Sequence, residues 1–275
     1  MPISNLKKII KRKIGRNLNF VGRKLTVFDD DTFIVSYPKS GNTWTRFLVA
    51  SLLNPEQEIS FSNIDEKIPD IYQTSDRYLL NLPRPRLIKS HEYFDPRYKK
   101  VICIVRDPRD VLVSNYYHYL KYTFQENVES LEEFGEKFVC GDYEIFPNKN
   151  RFGSWKDNVG SWLGAKEGNS DFLLIRYEDL KEDCEYHLGK IAKFLGADDS
   201  LENIQRAIEK SSIKRMRTLE KQETNVWPAR QSQRKDILFV RSAKSGKWQE
   251  ELPISIVEKI SKNWATAMKR LGYTP

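Results

Sequence analysis

The stretch "KVICIVRD", positions 100 to 107, restricts the fold more than any other part of the chain. Five apolar residues in a row, Val101 to Val105, lead into Arg106 and Asp107. An unbroken apolar run of that length suits a strand covered on both faces, as in a parallel sheet between layers of helices. Three further apolar runs, Phe33–Ser36, Leu87–Lys89 and Phe172–Ile175, also read as strands, and helical patterns follow most of them. Asp107-Pro108 opens one helix, with Asp as N-cap and Pro in the first turn. "CEYHLGKIAKFLG" forms another, closed by Gly196. This alternation predicts an α/β fold: a mostly parallel central sheet flanked by helices, with a P-loop-like anion-binding loop. No repeat or linker interrupts the 275 residues, so residues 25–275 read as a single domain and residues 1–24 as an extension.

In such sheets ligands sit beyond the carboxyl ends of the strands. The polar residues gather at those ends. Lys39 follows the first strand, Lys89-Ser90-His91 the second, Arg106 the third, and Arg176-Tyr177-Glu178-Asp179 the fourth. The first loop, "VSYPKSGNTW", joins a strand to the start of a helix. Backbone N–H groups and the helix dipole favour an anion there, Lys39 adds a full positive charge, and Gly41 allows the turn. The loop has one glycine, and its lysine precedes it, unlike the GxxxxGK[ST] pattern. A nucleoside triphosphatase also needs a carboxylate after an apolar strand to organise magnesium. Here Asp107 is better used as a helix cap.

Arg106 and Ser114, eight residues apart, can grip one phosphate, the guanidinium bidentately. His91 lies just past a strand end, where a general base belongs, with Lys89 beside it to supply positive charge. His118 and His187 fall within helical patterns and read as packed or solvated.

The net charge of +8, from 46 basic and 38 acidic residues, is a modest excess that suits polyanionic ligands or an anionic surface. Three scattered cysteines, Cys103, Cys140 and Cys184, argue for a reducing compartment and against a disulfide framework or zinc site. The first 24 residues place Leu6, Ile10, Ile14 and Leu18 among lysines and arginines. They read as a basic helix packed on the domain or in solvent, with attachment to a membrane surface as the sharper alternative.

Taken together these segments resemble the cytosolic-type sulfotransferases. "YPKSGNTW" resembles that family's 5′-phosphosulfate loop, "RDPRDVLVSNYYHY" its 3′-phosphate motif, and "KSHEYFD" its catalytic-histidine segment. "RYEDLKED" resembles a further family stretch and "FVRSAKSGKW" the C-terminal RxGxxGxW-type segment. The resemblance implies 3′-phosphoadenosine 5′-phosphosulfate (PAPS) as donor, adenosine 3′,5′-bisphosphate (PAP) as product, no metal, and a cytoplasmic location. It implies that Lys39, Ser40, Gly41, Asn42, Thr43 and Trp44 hold the 5′-phosphosulfate and adenine. Arg106 and Ser114 would hold the 3′-phosphate, Tyr177 and Ser212 make further nucleotide contacts, and Arg241 closes over the 3′-phosphate. His91 would take the acceptor's proton, with Lys39 and Lys89 as catalytic cations. Asn42 stands where the family commonly has Thr, and Ser242 and Ala243 where it often has Lys and Gly.

The partners implied are a small-molecule or glycan acceptor and not nucleic acid. A hydroxyl or amine acceptor stays open at this point. Phe124, Phe134, Phe138, Tyr143, Phe146, Trp155 and Trp162 could line its pocket or build the core. A nucleotide kinase and a non-catalytic basic nucleotide-binding protein are the other classes to weigh. The polar segment 225–248 buries little apolar surface by itself and is expected to order around a bound nucleotide.

Overall fold

The computed structural model describes residues 25–123, 128–145, 148–149, 152–223, 236–241 and 245–275. The extension 1–24, Phe124 and Phe146 lie outside the described residues.

Four parallel strands form the central sheet: β1 (Thr32–Ser36), β2 (Leu87–Ser90), β3 (Lys100–Val105) and β4 (Phe172–Arg176). Their order is β2-β1-β3-β4. Each predicted strand is present and one residue longer than its apolar run, because backbone pairing continues past the apolar side chains. The principal helices are α1 (Asn42–Leu53), α2 (Pro108–Tyr122), α3 (Leu131–Cys140), α4 (Trp155–Lys166), α5 (Cys184–Leu195), α6 (Leu201–Lys210), α7 (Ile213–Gln222) and α8 (Ile254–Arg270).

Side chains alternate across a strand, and the two central strands feed two cores. Phe33, Val35, Val101, Cys103 and Val105 face one layer, packed with Val111 and Leu112 of α2, Phe134 and Phe138 of α3, Trp155 and Trp162 of α4 and Trp264 of α8. Ile34, Ile102 and Ile104 face the other, with Phe47 and Leu48 of α1, Ile191 of α5, Ile204 of α6 and Leu219 of α7. The apolar run in "KVICIVRD" is thus a strand with no solvent face. The same arrangement settles the aromatic residues. Phe134, Phe138, Tyr143, Trp155 and Trp162 are each 2% exposed or less and belong to the core, with Trp155 stacked on Trp264 at 5.7 Å. Cys103 is buried there too, and burial pushes its thiol up to about 12.

Helix ends follow the sequence signals. Asp107 caps α2 by accepting the Arg109 N–H, with Pro108 in the first turn. Gly196 closes α5 in the left-handed region. The strand register then brings Ser36, Ser90, Val105 and Arg176 to one edge of the sheet, and the residues after them form the site.

Candidate active site

The turn between β1 and α1 bends sharply. Lys39 has φ 69° and Gly41 φ 95°. A non-glycine residue at positive φ is costly, on the order of 1–3 kcal/mol, and persists where surrounding structure holds it. Gly41 is required for a second reason. A Cβ there would sit 2.3 Å from the Tyr177 ring. No side chain caps α1, and the buried Ser40 Oγ and Asn42 Oδ1 have no hydrogen-bond partner. Uncapped N–H groups and an orphaned hydroxyl at a helix N-terminus fit a phosphate-like anion. The Asn42 amide turns away from the loop, its Nδ2 donating to Ser36 Oγ at 3.1 Å. Its departure from Thr therefore leaves the backbone of the loop unengaged.

Beside this turn lies a cavity lined by Lys39, Ser114, Tyr117, His118, Lys121, Leu238, Phe239 and Arg241. Four of these share one face of α2 at i, i+3, i+4 and i+7. Lys39 Nζ sits 4.5 Å over the Phe239 ring and meets no carboxylate among the described residues. Loss of hydration, then Arg106 and Lys121, draw its ammonium down to about 7. Arg106, 8% exposed, reaches toward the Lys39 carbonyl at 3.5 Å and lies 4.5 Å over the Tyr177 ring. Arg241 stacks 3.9 Å over Tyr117 and pairs with Glu251 at 3.2 Å. The sequence-assigned Lys39, Ser114 and Arg241 therefore meet in one place, with Arg106 behind the loop.

In its described residues, 236–241 and 245–248, the C-terminal strip that carries Arg241 is held by charged side chains from outside the strip. Glu220 accepts the N–H groups of Phe239 at 2.8 Å and Val240 at 3.0 Å. Arg217 donates to the carbonyls of Val240 and Arg241, and Lys121 to that of Ile237. Asp110 accepts the N–H groups of Gly246 and Trp248. Charged anchors on α2 and α7 supply what the strip's own composition lacks. Residues 224–235 and 242–244, with Ser242 and Ala243 among them, lie outside the described residues.

On the other side of Ser36 stands His91. Its Nδ1 is 2.7 Å from the Ser36 carbonyl, which can only accept, so Nδ1 carries the proton and Nε2 keeps its lone pair. Tyr72 stacks on the imidazole at 5.8 Å, Phe152 meets it edge-on at 5.7 Å, and the Tyr72 hydroxyl accepts the His91 N–H at 2.8 Å. Burial first, and then the Lys89 charge, hold His91 well below the ordinary histidine range. Lys89 itself is engaged with Asp70 at 2.9 Å and lies 4.8 Å over the Tyr72 ring.

The remaining assigned residues have structural duties. Trp44 Nε1 donates to the Ser211 carbonyl at 3.1 Å, and Trp44 meets Tyr177 edge-on at 5.8 Å. Ser212 caps α7 through the Arg215 N–H. Thr43 stands in the first turn of α1. Sequence reading missed Ser36, Asp70, Tyr72, Lys121 and Phe239. His118, read as packed or solvated, packs on Tyr122 at 4.7 Å and lines the cavity as well. The signal for His118 was available: it stands four residues after Ser114 on one helix.

Asp107, the carboxylate that a magnesium-dependent kinase would need after β3, binds Arg109 through both oxygens at 2.9 and 2.7 Å. That pairing leaves the kinase reading without its magnesium carboxylate. A family model described as a sulfotransferase domain matches residues 29–272. The chain belongs to the sulfotransferase family. It is a PAPS-dependent sulfotransferase, moving a sulfuryl group from the donor to an acceptor. Among curated relatives, Sulfotransferase 1E1 of Cavia porcellus is 30% identical over 257 residues, 87% of this chain and 83% of the relative. A 3-beta-hydroxysteroid sulfotransferase of the same animal is 30% identical over 94% of this chain and 90% of its own length. Among solved structures, a mouse sulfotransferase complexed with PAP superposes with a TM-score of 0.70 at 26% identity, covering 89% of this chain and 85% of that one.

Proposed function

We propose that His91 is the general base and Lys39 the cation that stabilises the leaving phosphate in this sulfotransferase. The supporting observation is the fixed tautomer of His91. Ser36 holds Nδ1–H, and the same short segment, three residues on, carries Lys39, so base and cation are set by one turn. In-line transfer breaks the bond from sulfur to the 5′-phosphate oxygen and forms one to the acceptor oxygen. The acceptor's proton goes to Nε2, and charge builds on the phosphate facing Lys39. Arg106, Ser114 and Arg241 hold the 3′-phosphate. Ser40 to Thr43 hold the phosphosulfate, and Trp44, Tyr177 and Ser212 stand at the nucleoside. Lys89, locked to Asp70, acts through the field it exerts on His91.

The acceptor is a small molecule bearing a hydroxyl. Tyr72 and Phe152 flank the base with aromatic faces suited to a phenolic or alicyclic ring. A relative named for a hydroxysteroid agrees with that class. Residues 25–275 act as one domain, and three free cysteines suit the reducing cytoplasm. The test is His91→Ala, assayed with a panel of phenols, a steroid alcohol, a monosaccharide and an amine. PAP affinity should be retained while transfer to alcohols is lost, and the most acidic phenol should escape in part because it supplies its own anion. Undiminished transfer to an alcohol by the variant would refute the assignment.

A further inference from the structure

One residue on the cavity face of α2 has no task in the reading above. His118 stands one helical turn beyond Ser114, and neither of its ring nitrogens bonds any described residue. Tyr122 packs on its ring at 4.7 Å. Lys39 from the loop, Lys121 from its own helix, and Leu238, Phe239 and Arg241 from the C-terminal strip enclose the same space. A half-buried imidazole that lines a cavity and bonds no described residue is an open hydrogen-bonding position.

Its place along α2 says which part of the donor it meets. Ser114 marks the 3′-phosphate. Four residues of helix advance about 6 Å along the axis. Lys39 is the strongest charged influence on His118, ahead of Lys121. We propose that His118 donates a hydrogen bond to a non-bridging oxygen of the transferring sulfuryl group. This rests on the assignment of Lys39 to the phosphosulfate end. His118 loses no proton in the step. The acceptor's proton goes to His91, the leaving electron pair to the 5′-phosphate, and the His118 N–H only follows the charge spread over the sulfuryl oxygens.

The surroundings suit a donor that stays neutral. Burial, then Lys39 and Lys121, hold His118 well below the ordinary histidine range, so at neutral pH it offers one N–H and one lone pair. A neutral imidazole can donate to developing negative charge without acting as an acid. The two histidines thus divide the work. His91 spends its N–H on Ser36 and keeps a basic nitrogen, whereas His118 keeps its N–H for the ligand.

The experiment compares His118→Phe and His118→Gln with the wild-type protein. PAP release from PAPS is followed with 4-nitrophenol as probe acceptor and with water alone, and PAP affinity by calorimetry. The Phe variant should bind PAP within about twofold of wild type and turn over about 100-fold more slowly, the usual effect of losing one such donor. The Gln variant, which retains an N–H, should recover about tenfold or more of that loss. With only three histidines in the chain, ¹⁵N-labelled imidazoles can be followed individually. The His118 ring N–H should gain protection from solvent exchange with PAPS and not with PAP. Equal protection by both ligands overturns the proposal and places His118 on the nucleotide. Wild-type turnover in His118→Phe, with Lys39→Ala impaired, sinks the role of His118 alone. Wild-type turnover in Lys39→Ala sinks the donor assignment beneath it.

Discussion

The two halves of the site, either side of Ser36, are prepared in opposite ways. On the His91 side every charged group is already answered. Lys89 has Asp70, Asp70 also accepts the Tyr72 N–H, and the imidazole is held by Ser36 and Tyr72. On the cavity side Lys39 rests on a phenyl ring, and among the described residues the Ser40 hydroxyl, the Ser114 hydroxyl and the His118 ring have no hydrogen-bond partner. If His91 is the base proposed above, its half is already aimed for the task, as a base must be before it acts. The proposed anion-binding half gathers Lys39, Lys121 and Arg241 around one cavity, an excess of positive charge that suits an anionic ligand.

The largest effect should come from the incomplete half. Lys39→Ala should cost about 100- to 1000-fold in turnover with little loss of thermal stability. Burial, then Arg106 and Lys121, draw Lys39 down to about 7, and a bound polyanion would raise it. Above pH 7, PAP binding should therefore take up a proton, and affinity should fall as pH rises. Calorimetry in buffers of different ionisation enthalpy checks this, and Lys39→Ala should abolish the uptake. Proton release, or none, in the wild type would erase the contrast between the two halves.

Arg106→Ala should come next. A charge-assisted bond is worth roughly 1.5–3 kcal/mol, which is about 10- to 150-fold in affinity. That loss should fall on PAPS and spare adenosine 5′-phosphosulfate, which lacks the 3′-phosphate. Equal loss for both ligands in calorimetry would mean that Arg106 merely props the loop through the Lys39 carbonyl and Tyr177.

Ser212→Ala should have the smallest effect and sharpens a boundary. Removing the cap of α7 should lower stability by about 1 kcal/mol in denaturant melts. PAP affinity changes only if the hydroxyl leaves the Arg215 N–H for the nucleotide, so affinity and stability together separate the two duties.

The strands and the loop were legible because their signals are local. An apolar run buries on both faces wherever it lies, and a glycine between strand and helix turns in few ways. Lys39, Arg106, Ser114 and His91 could be placed at one sheet edge for that reason. What was not legible depends on distant partners. Nothing near Lys89 in sequence announces Asp70, nineteen residues earlier, which converts a supposed free cation into half of a buried pair. Nothing in the aromatic stretch after α2 distinguishes pocket from core until α8 brings Trp264 against Trp155. His118 is packed on Tyr122, as a histidine within a helical pattern suggests, and only Lys39 and Phe239, distant in sequence, place it on a cavity as well.

The anchors of the C-terminal strip grip main-chain atoms. Glu220 and Asp110 accept N–H groups, and Lys121 and Arg217 donate to carbonyls. Every residue except proline presents those same atoms. The path of the strip is therefore set by residues outside it, apart from the side-chain contacts that Phe239 and Arg241 make themselves. A change of side chain at Ile237 or Val240 leaves those main-chain bonds in place, so Arg241 is delivered to the same spot. The route of the strip is thus written in the side chains of α2 and α7, at Asp110, Lys121, Arg217 and Glu220.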